Sequence, residues 1–145
     1  MGNERLKVLA ITGGNGVICL PFKDYLIANV EPRALFKTPG NIQWTLNFGK
    51  IPLFHSLESF IKEFTSAPDV DVIVGAPDCG HSSILSYSRS KSLANPRDNA
   101  SLTLFLSSVK LFKPKIFMME NLPAMLKTIN RSELREFYED YHLKF

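Results

Sequence analysis

Short runs of aliphatic and β-branched residues recur along the chain, each closed by glycine, proline or an acid. Between them lie segments whose apolar residues repeat every three or four positions. Leu6–Ile11 is the first run; it stops at Thr12-Gly13-Gly14-Asn15-Gly16, and an apolar stretch resumes at Val17. Leu26–Val30 is the second and ends in Glu31-Pro32. Ile51–Phe54 reads as a short edge strand, because Pro52 brings no N–H to a ladder. Val70–Val74 and Lys115–Met119 are apolar enough to predict strands buried on both faces. Helical spacing predicts a helix from about Gln43 carrying Trp44 and Phe48, after a stretch interrupted by Pro39-Gly40. It also predicts Leu57–Phe64 behind an N-cap at Ser56, with Leu57, Phe60, Ile61 and Phe64 inward. Asn99 caps a helix through Leu111 that buries Leu102, Phe105, Leu106 and Val109, and Leu134, Phe137 and Tyr138 mark another within Arg131–Tyr141. A sixth strand opens at Leu143–Phe145. Strands alternating with helices of these lengths predict an α/β fold, a mostly parallel sheet with helices on both faces.

Composition adds bounds. With 145 residues, 45% hydrophobic and 21% charged, the chain suits one globular domain with a single core. No apolar run approaches the roughly 20 residues that span a bilayer, and Met1–Lys7 is polar with no signal-peptide core after it. These features predict a soluble, intracellular, cytoplasmic protein. Cys19 and Cys79 stand far apart, which argues for reduced thiols and against a disulfide framework, and three scattered histidines do not build a metal site. The net charge of +3 is spread along the chain without an arginine-rich or lysine-rich run, so charge by itself does not point to nucleic acid.

The chemistry gathers where strands end. Val70–Ser83 is an apolar run that breaks off in Pro77-Asp78-Cys79-Gly80, and ligands of open α/β sheets collect at the carboxyl ends of strands. Cys79 is therefore a candidate nucleophile. The strand Lys115–Met119 likewise finishes in Glu120-Asn121-Leu122-Pro123. The glycine cluster after the first run allows close backbone approach to a ligand, or serves only as a tight turn. Glu31, about 20 residues farther on, is placed to accept ribose hydroxyls, or to sit at a helix start beside Pro32. Gly80–Arg97 is a long polar segment with little periodicity, as functional loops are. Its Arg89, Lys91 and Arg97 are phosphate contacts or an ordinary solvated surface.

Val72–Ser83, then Asn95-Pro96-Arg97, then Lys113–Pro123 together resemble, in order and spacing, the S-adenosylmethionine-dependent cytosine C5 methyltransferases. That family carries a Pro-Pro-Cys nucleophile motif and, after a loop and a helix, a strand ending in Glu-Asn-Val. The resemblance implies a Rossmann-like methyltransferase fold, S-adenosyl-L-methionine as cofactor with S-adenosyl-L-homocysteine as product, and DNA as partner, with restriction-modification as the setting. It implies Cys79 as the nucleophile that adds to C6 of cytosine and Glu120 as the hydrogen-bond partner of N3 and the exocyclic amine. Ile11, Thr12, Gly13, Gly14, Asn15, Gly16, Glu31, Pro32, Pro77 and Leu102 would contact the cofactor, and Ser82, Ser83, Arg89, Lys91 and Arg97 the nucleic acid. No metal is implied.

The sequence departs from the family's pattern in places. Asp78 replaces the second proline, and a negative charge next to a thiol would by itself disfavour the thiolate. Asn15 stands for a glycine, Gly80-His81-Ser82 for Gln-Gly-Phe, and no aspartate lies near His55. The family's Gln-Arg-Arg type motif, target-recognition domain and closing helix have no counterpart before Phe145. The expectation is thus the cofactor-binding, nucleophile-bearing part of the domain, truncated at its C-terminus and completed by a complementary fragment or by self-association. Two other readings stand beside it: a catalytically weak or inactive binding module, and a tRNA cytosine methyltransferase.

Overall fold

The computed structural model describes residues 5–12, 14, 16–32, 39–63, 68–77 and 100–121. Five strands, β1 (Val8–Ile11), β2 (Leu26–Val30), β3 (Leu53–Phe54), β4 (Val72–Gly75) and β5 (Ile116–Met119), pair in the order β3-β2-β1-β4-β5. Every pairing is parallel. Between them run a 3₁₀ helix (Val17–Phe22) and the helices α1 (Pro39–Phe48), α2 (Leu57–Lys62) and α3 (Ala100–Phe112).

The two-residue period of the strands sorts side chains onto two faces, and each face has its own helical cover. Leu9, Ile11, Ala28, Val30 and Ile73 pack with Phe60 of α2 and with Leu102, Phe105, Leu106 and Val109 of α3. Val8, Ala10, Val72 and Val74 pack on the opposite face with Cys19 of the 3₁₀ helix and with Trp44 and Phe48 of α1. Burial on both faces is what makes these strands near-continuous apolar runs rather than alternating ones. Each fully buried large side chain is worth about 1.5–3 kcal/mol. Leu26 joins the second face although Ala28 and Val30 belong to the first. The register explains this: Val8 pairs with Leu26 but Leu9 with Ala28, so one extra residue in β2 turns Leu26 over.

Several expectations shift by local physics. α1 opens at Pro39, where the missing N–H is one of the orphans of a first turn, so Pro39-Gly40 starts the helix instead of interrupting it. After the glycine turn the chain forms a 3₁₀ helix with Pro21 inside it. β3 is the edge that Pro52 predicts; Pro52 supplies only its carbonyl, which accepts from Asn29 N–H at 3.0 Å. Ser56 caps α2 reciprocally with Ser59, and Lys62 faces solvent. β5 is a correction. It was expected to be buried on both faces, yet among the described residues it pairs with β4 alone, and Ile116 and Met118 are 58% and 46% exposed. Only Phe117 and Met119 pack against the α2/α3 layer. Phe64, Asn99, the helix within 131–141 and the strand at 143–145 lie outside the described residues.

The amino ends of the inner strands are tied by one acid. Asp71 accepts from the Lys7 backbone N–H at 3.0 Å and from Lys115 Nζ at 2.8 Å. Its own backbone N–H bonds Lys7 O at 2.9 Å, and its carbonyl accepts from Lys115 N–H at 2.9 Å. These hydrogen bonds hold the Asp71 carboxyl below the usual aspartate range, that of Lys115 contributing most.

Candidate functional site at the carboxyl ends of the strands

Strand register places Phe54, Val30, Ile11, Gly75 and Met119 in one row across the sheet. The residues that follow leave the sheet on the same edge: Glu31 after β2, Thr12 after β1, Ala76 after β4 and Glu120 after β5. The strand order reverses direction between β1 and β4, and that is where a doubly wound sheet opens a crevice for a ligand.

On the β1/β2 side the backbone is held in an uncommon shape. Thr12 has φ 50°, a left-handed conformation rare for a β-branched residue. Its N–H bonds Val30 O at 2.8 Å and its Oγ1 bonds Ile11 O at 2.7 Å, so the turn is locked to β2. Gly14 follows with φ 57°, and a Cβ there would meet nothing within 4 Å, so the space above the turn is open. Gly16 answers a different demand. A Cβ at Gly16 would lie 2.2 Å from the Phe48 ring and 3.0 Å from Trp44, which stack on each other at 4.4 Å. The turn therefore rests directly on the aromatic pair of α1. Glu31 is half-buried and anchored by its N–H to Phe54 O at 2.7 Å, with Pro32 exposed after it.

On the β4/β5 side the two strand ends are bonded to each other. Glu120 N–H donates to Gly75 O at 2.9 Å, and Asn121 Nδ2 donates to Pro77 O at 2.7 Å. Pro77 is buried; Glu120 is exposed. Gly75 is required by packing, since a Cβ would come within 2.4 Å of Ile11 O and 2.6 Å of the Phe105 ring. Asn121 is the residue that sequence reasoning passed over: its place directly after Glu120 was the available signal.

Of the residues expected to contact a cofactor, the structure brings Thr12, Gly14, Gly16, Glu31, Pro32 and Pro77 to the carboxyl edge. Ile11 and Leu102 lie instead in the core beneath that edge, 0% and 3% exposed. Cys19 is buried, and desolvation pushes its thiol up to about 12, so it is no thiolate at neutral pH. Gly13, Asn15, Cys79, Ser82, Ser83, Arg89, Lys91, Arg97 and the segment 80–97 lie outside the described residues.

A family model for C-5 cytosine-specific DNA methylases matches residues 41–142, more than half of the chain. The chain belongs to the C-5 cytosine-specific DNA methylase family. The matched span of this family member takes in both Cys79 and Glu120 and begins beyond the glycine turn and Glu31. A type II methyltransferase of Bacillus paralicheniformis, M.Bpa9945I, is 31% identical over 80 residues, 54% of this chain and 18% of that protein. A solved structure from E. coli, described as a candidate DNA modification methyltransferase encoded within a prophage, superposes with TM-score 0.66. It is 17% identical, and the match covers 92% of this chain and 37% of that one. This likeness and the all-parallel sheet establish a Rossmann-like methyltransferase fold. The chain thus spans well under half of either relative. Among the described residues no helix is long and apolar enough to cross a membrane.

Proposed function

We propose that this chain carries the cofactor-binding and nucleophile-bearing part of an enzyme that transfers a methyl group from S-adenosyl-L-methionine to C5 of cytosine in DNA. One observation carries the reading: the hydrogen bond from Asn121 Nδ2 to Pro77 O at 2.7 Å ties the end of β5 to the end of β4. It sets Glu120 beside the backbone two residues ahead of Cys79. A carboxyl group at the end of one strand and a thiol that follows the adjacent strand in sequence is the pairing that addition to a pyrimidine ring requires.

C5 of cytosine is a weak nucleophile, and covalent catalysis divides its alkylation into easier steps. The Cys79 thiolate adds to C6, forming the S–C6 bond and moving the electron pair towards C5 and N3. The Glu120 carboxyl, hydrogen-bonded at N3 and the exocyclic amine, steadies the charge on the ring. With S-adenosyl-L-methionine bound, C5 would accept the methyl as its bond to the sulfonium sulfur breaks and S-adenosyl-L-homocysteine leaves, and loss of the C5 proton to a base with departure of the thiolate would restore the aromatic ring. The cofactor supplies an electrophilic methyl. The open space above Gly14 and the half-buried acid at Glu31 fit such a group, with Thr12 and Gly14 giving backbone approach and Glu31 accepting ribose hydroxyls. The target base must leave the duplex stack to reach these groups.

The test is transfer of labelled methyl to cytosine-containing DNA by this chain, alone and mixed with a C-terminal methylase fragment. Cys79→Ser should bring transfer to background, and Glu120→Gln should slow it by roughly 10²-fold. A mechanism-based cytosine analogue should trap a covalent adduct at Cys79. No transfer and no adduct in any combination would sink the reading. A second reading rests on Asp78, whose charge beside Cys79 opposes thiolate formation: a module that binds the cofactor without transferring methyl. Calorimetric binding of S-adenosyl-L-homocysteine without turnover would select it, and transfer to tRNA in place of DNA would move the substrate instead.

A further inference from the structure

The amino-terminal end of the sheet, opposite the candidate active site, holds a trench of about 850 Å³. Its walls come from three separate places: the approach to β1, the turn into β2, and the end of α1 with the loop after it. That volume is in the range of ligand-holding clefts. The charge lining it is unbalanced, with Arg5, Lys7, Lys23 and Lys50 against Asp24 as the single acid. Arg5 donates to the Asp24 backbone carbonyl and lies over the Tyr25 ring, 6.0 Å from its centroid, so its charge meets no carboxylate there. Lys7 faces Asp71, which already accepts from Lys115. Among the described residues, no ion pair engages Lys23 or Lys50.

Apolar side chains line the same trench. Leu6, Tyr25 and Leu46 line it, and Leu46 is 75% exposed. Ile42, four residues earlier on the same helix face, is 54% exposed and extends this surface along α1. Cationic and exposed apolar side chains lining one trench suit a ligand that carries both anionic and apolar groups. A nucleic-acid strand would find its phosphates met but its bases unserved, because of the two aromatic residues lining the trench Phe48 is 2% exposed and one face of Tyr25 is covered by Arg5. An acidic peptide with interspersed leucine or phenylalanine satisfies both kinds of side chain. We infer that this trench is a docking site for an acidic, apolar-bearing peptide segment of a partner protein, on the face away from methyl transfer.

The experiment titrates the chain with a short labelled peptide in which glutamate alternates with leucine and phenylalanine. An all-glutamate peptide of equal charge and a single-stranded oligonucleotide are run in parallel. The inference expects saturable binding of the mixed peptide in the micromolar range, weakened by salt, with the other two probes at least roughly tenfold weaker. Leu46→Asp, and separately the pair Lys23→Glu with Lys50→Glu, should each weaken the mixed peptide by roughly tenfold. The urea midpoint of each variant checks that it is folded; either one suffices, because all three residues are solvent-exposed. Equal or tighter binding of the all-glutamate peptide or the oligonucleotide would overturn the inference. So would undiminished peptide binding by a folded variant.

Discussion

At the scale of single residues, three positions carry constraints that their neighbours do not. Gly75 stands where Ile11 O and the Phe105 ring leave no room for a side chain, at the point where β4 passes into the candidate site. Gly75→Ala is expected to lower unfolding free energy by about 2 kcal/mol, read from the urea midpoint at constant m-value. Burial in the α1 layer raises the Cys19 thiol to about 12, so a Cys79→Ser variant should show no fast labelling by a thiol reagent at neutral pH until denaturant is added. Fast labelling of that variant would contradict the burial. Thr12 holds a left-handed φ that glycine alone adopts freely, and two hydrogen bonds pay for it. Nothing in the identity of a threonine announces this; the strain follows from where β2 lies.

Among elements, α2 shows how much a short helix owes to its ends. Six residues are too few to be stable from propensity alone, so the helix rests on its capping box and on Phe60, which meets the Phe54 and Phe112 rings edge-on. Ser56→Ala should cost about 1 kcal/mol in a urea titration, with the change concentrated in helix content over 57–62 if followed by hydrogen exchange. The N-cap at Ser56 and the inward Phe60 are readable in the sequence, from Ser56 before an apolar repeat and from the spacing of Leu57, Phe60 and Ile61; the reciprocal bond of Ser59, which the spacing turns outward, is not. β5 was not. Its apolar density matched that of β4, yet β4 lies between two strands and β5 lies at the edge of the described sheet. Rank within a sheet is set by pairing with distant segments, and local composition carries no record of it. The start of α1 was missed for the opposite reason: a proline was read as an interruption when its position in the first turn makes it a beginning.

For the molecule as a whole, the sheet divides two chemistries. Its carboxyl edge gathers Thr12, Gly14, Glu31, Pro77 and Glu120, and its amino edge gathers the Asp71 contacts and the cationic trench. Asp71 ties β1, β4 and β5 together, and its carboxyl is held below the usual aspartate value, so the folded state prefers the ionised form. The stabilisation is therefore fully present above the ordinary aspartate pKa and is lost as pH falls from there through the lowered folded value. Asp71→Asn should flatten that acid limb of the stability curve: the variant lies below the parent near neutral pH and the two converge in acid, as measured by unfolding across a pH series. What the sequence alone determined was the order of strands and helices, the two apolar faces, and the chemical character of the strand ends, because periodicity and terminating residues are local and survive without a fold. It also carried the paired Cys79 and Glu120 motifs, whose spacing is a property of the chain. Only the tertiary structure decided that Asn121 bonds Pro77, that Gly16 rests on Trp44 and Phe48, that β5 pairs among the described residues with β4 alone, and that Arg5, Lys23 and Lys50 share one trench. Each of these joins residues far apart in the chain, and which distant segments meet is settled by strand order and register rather than by any single stretch of sequence.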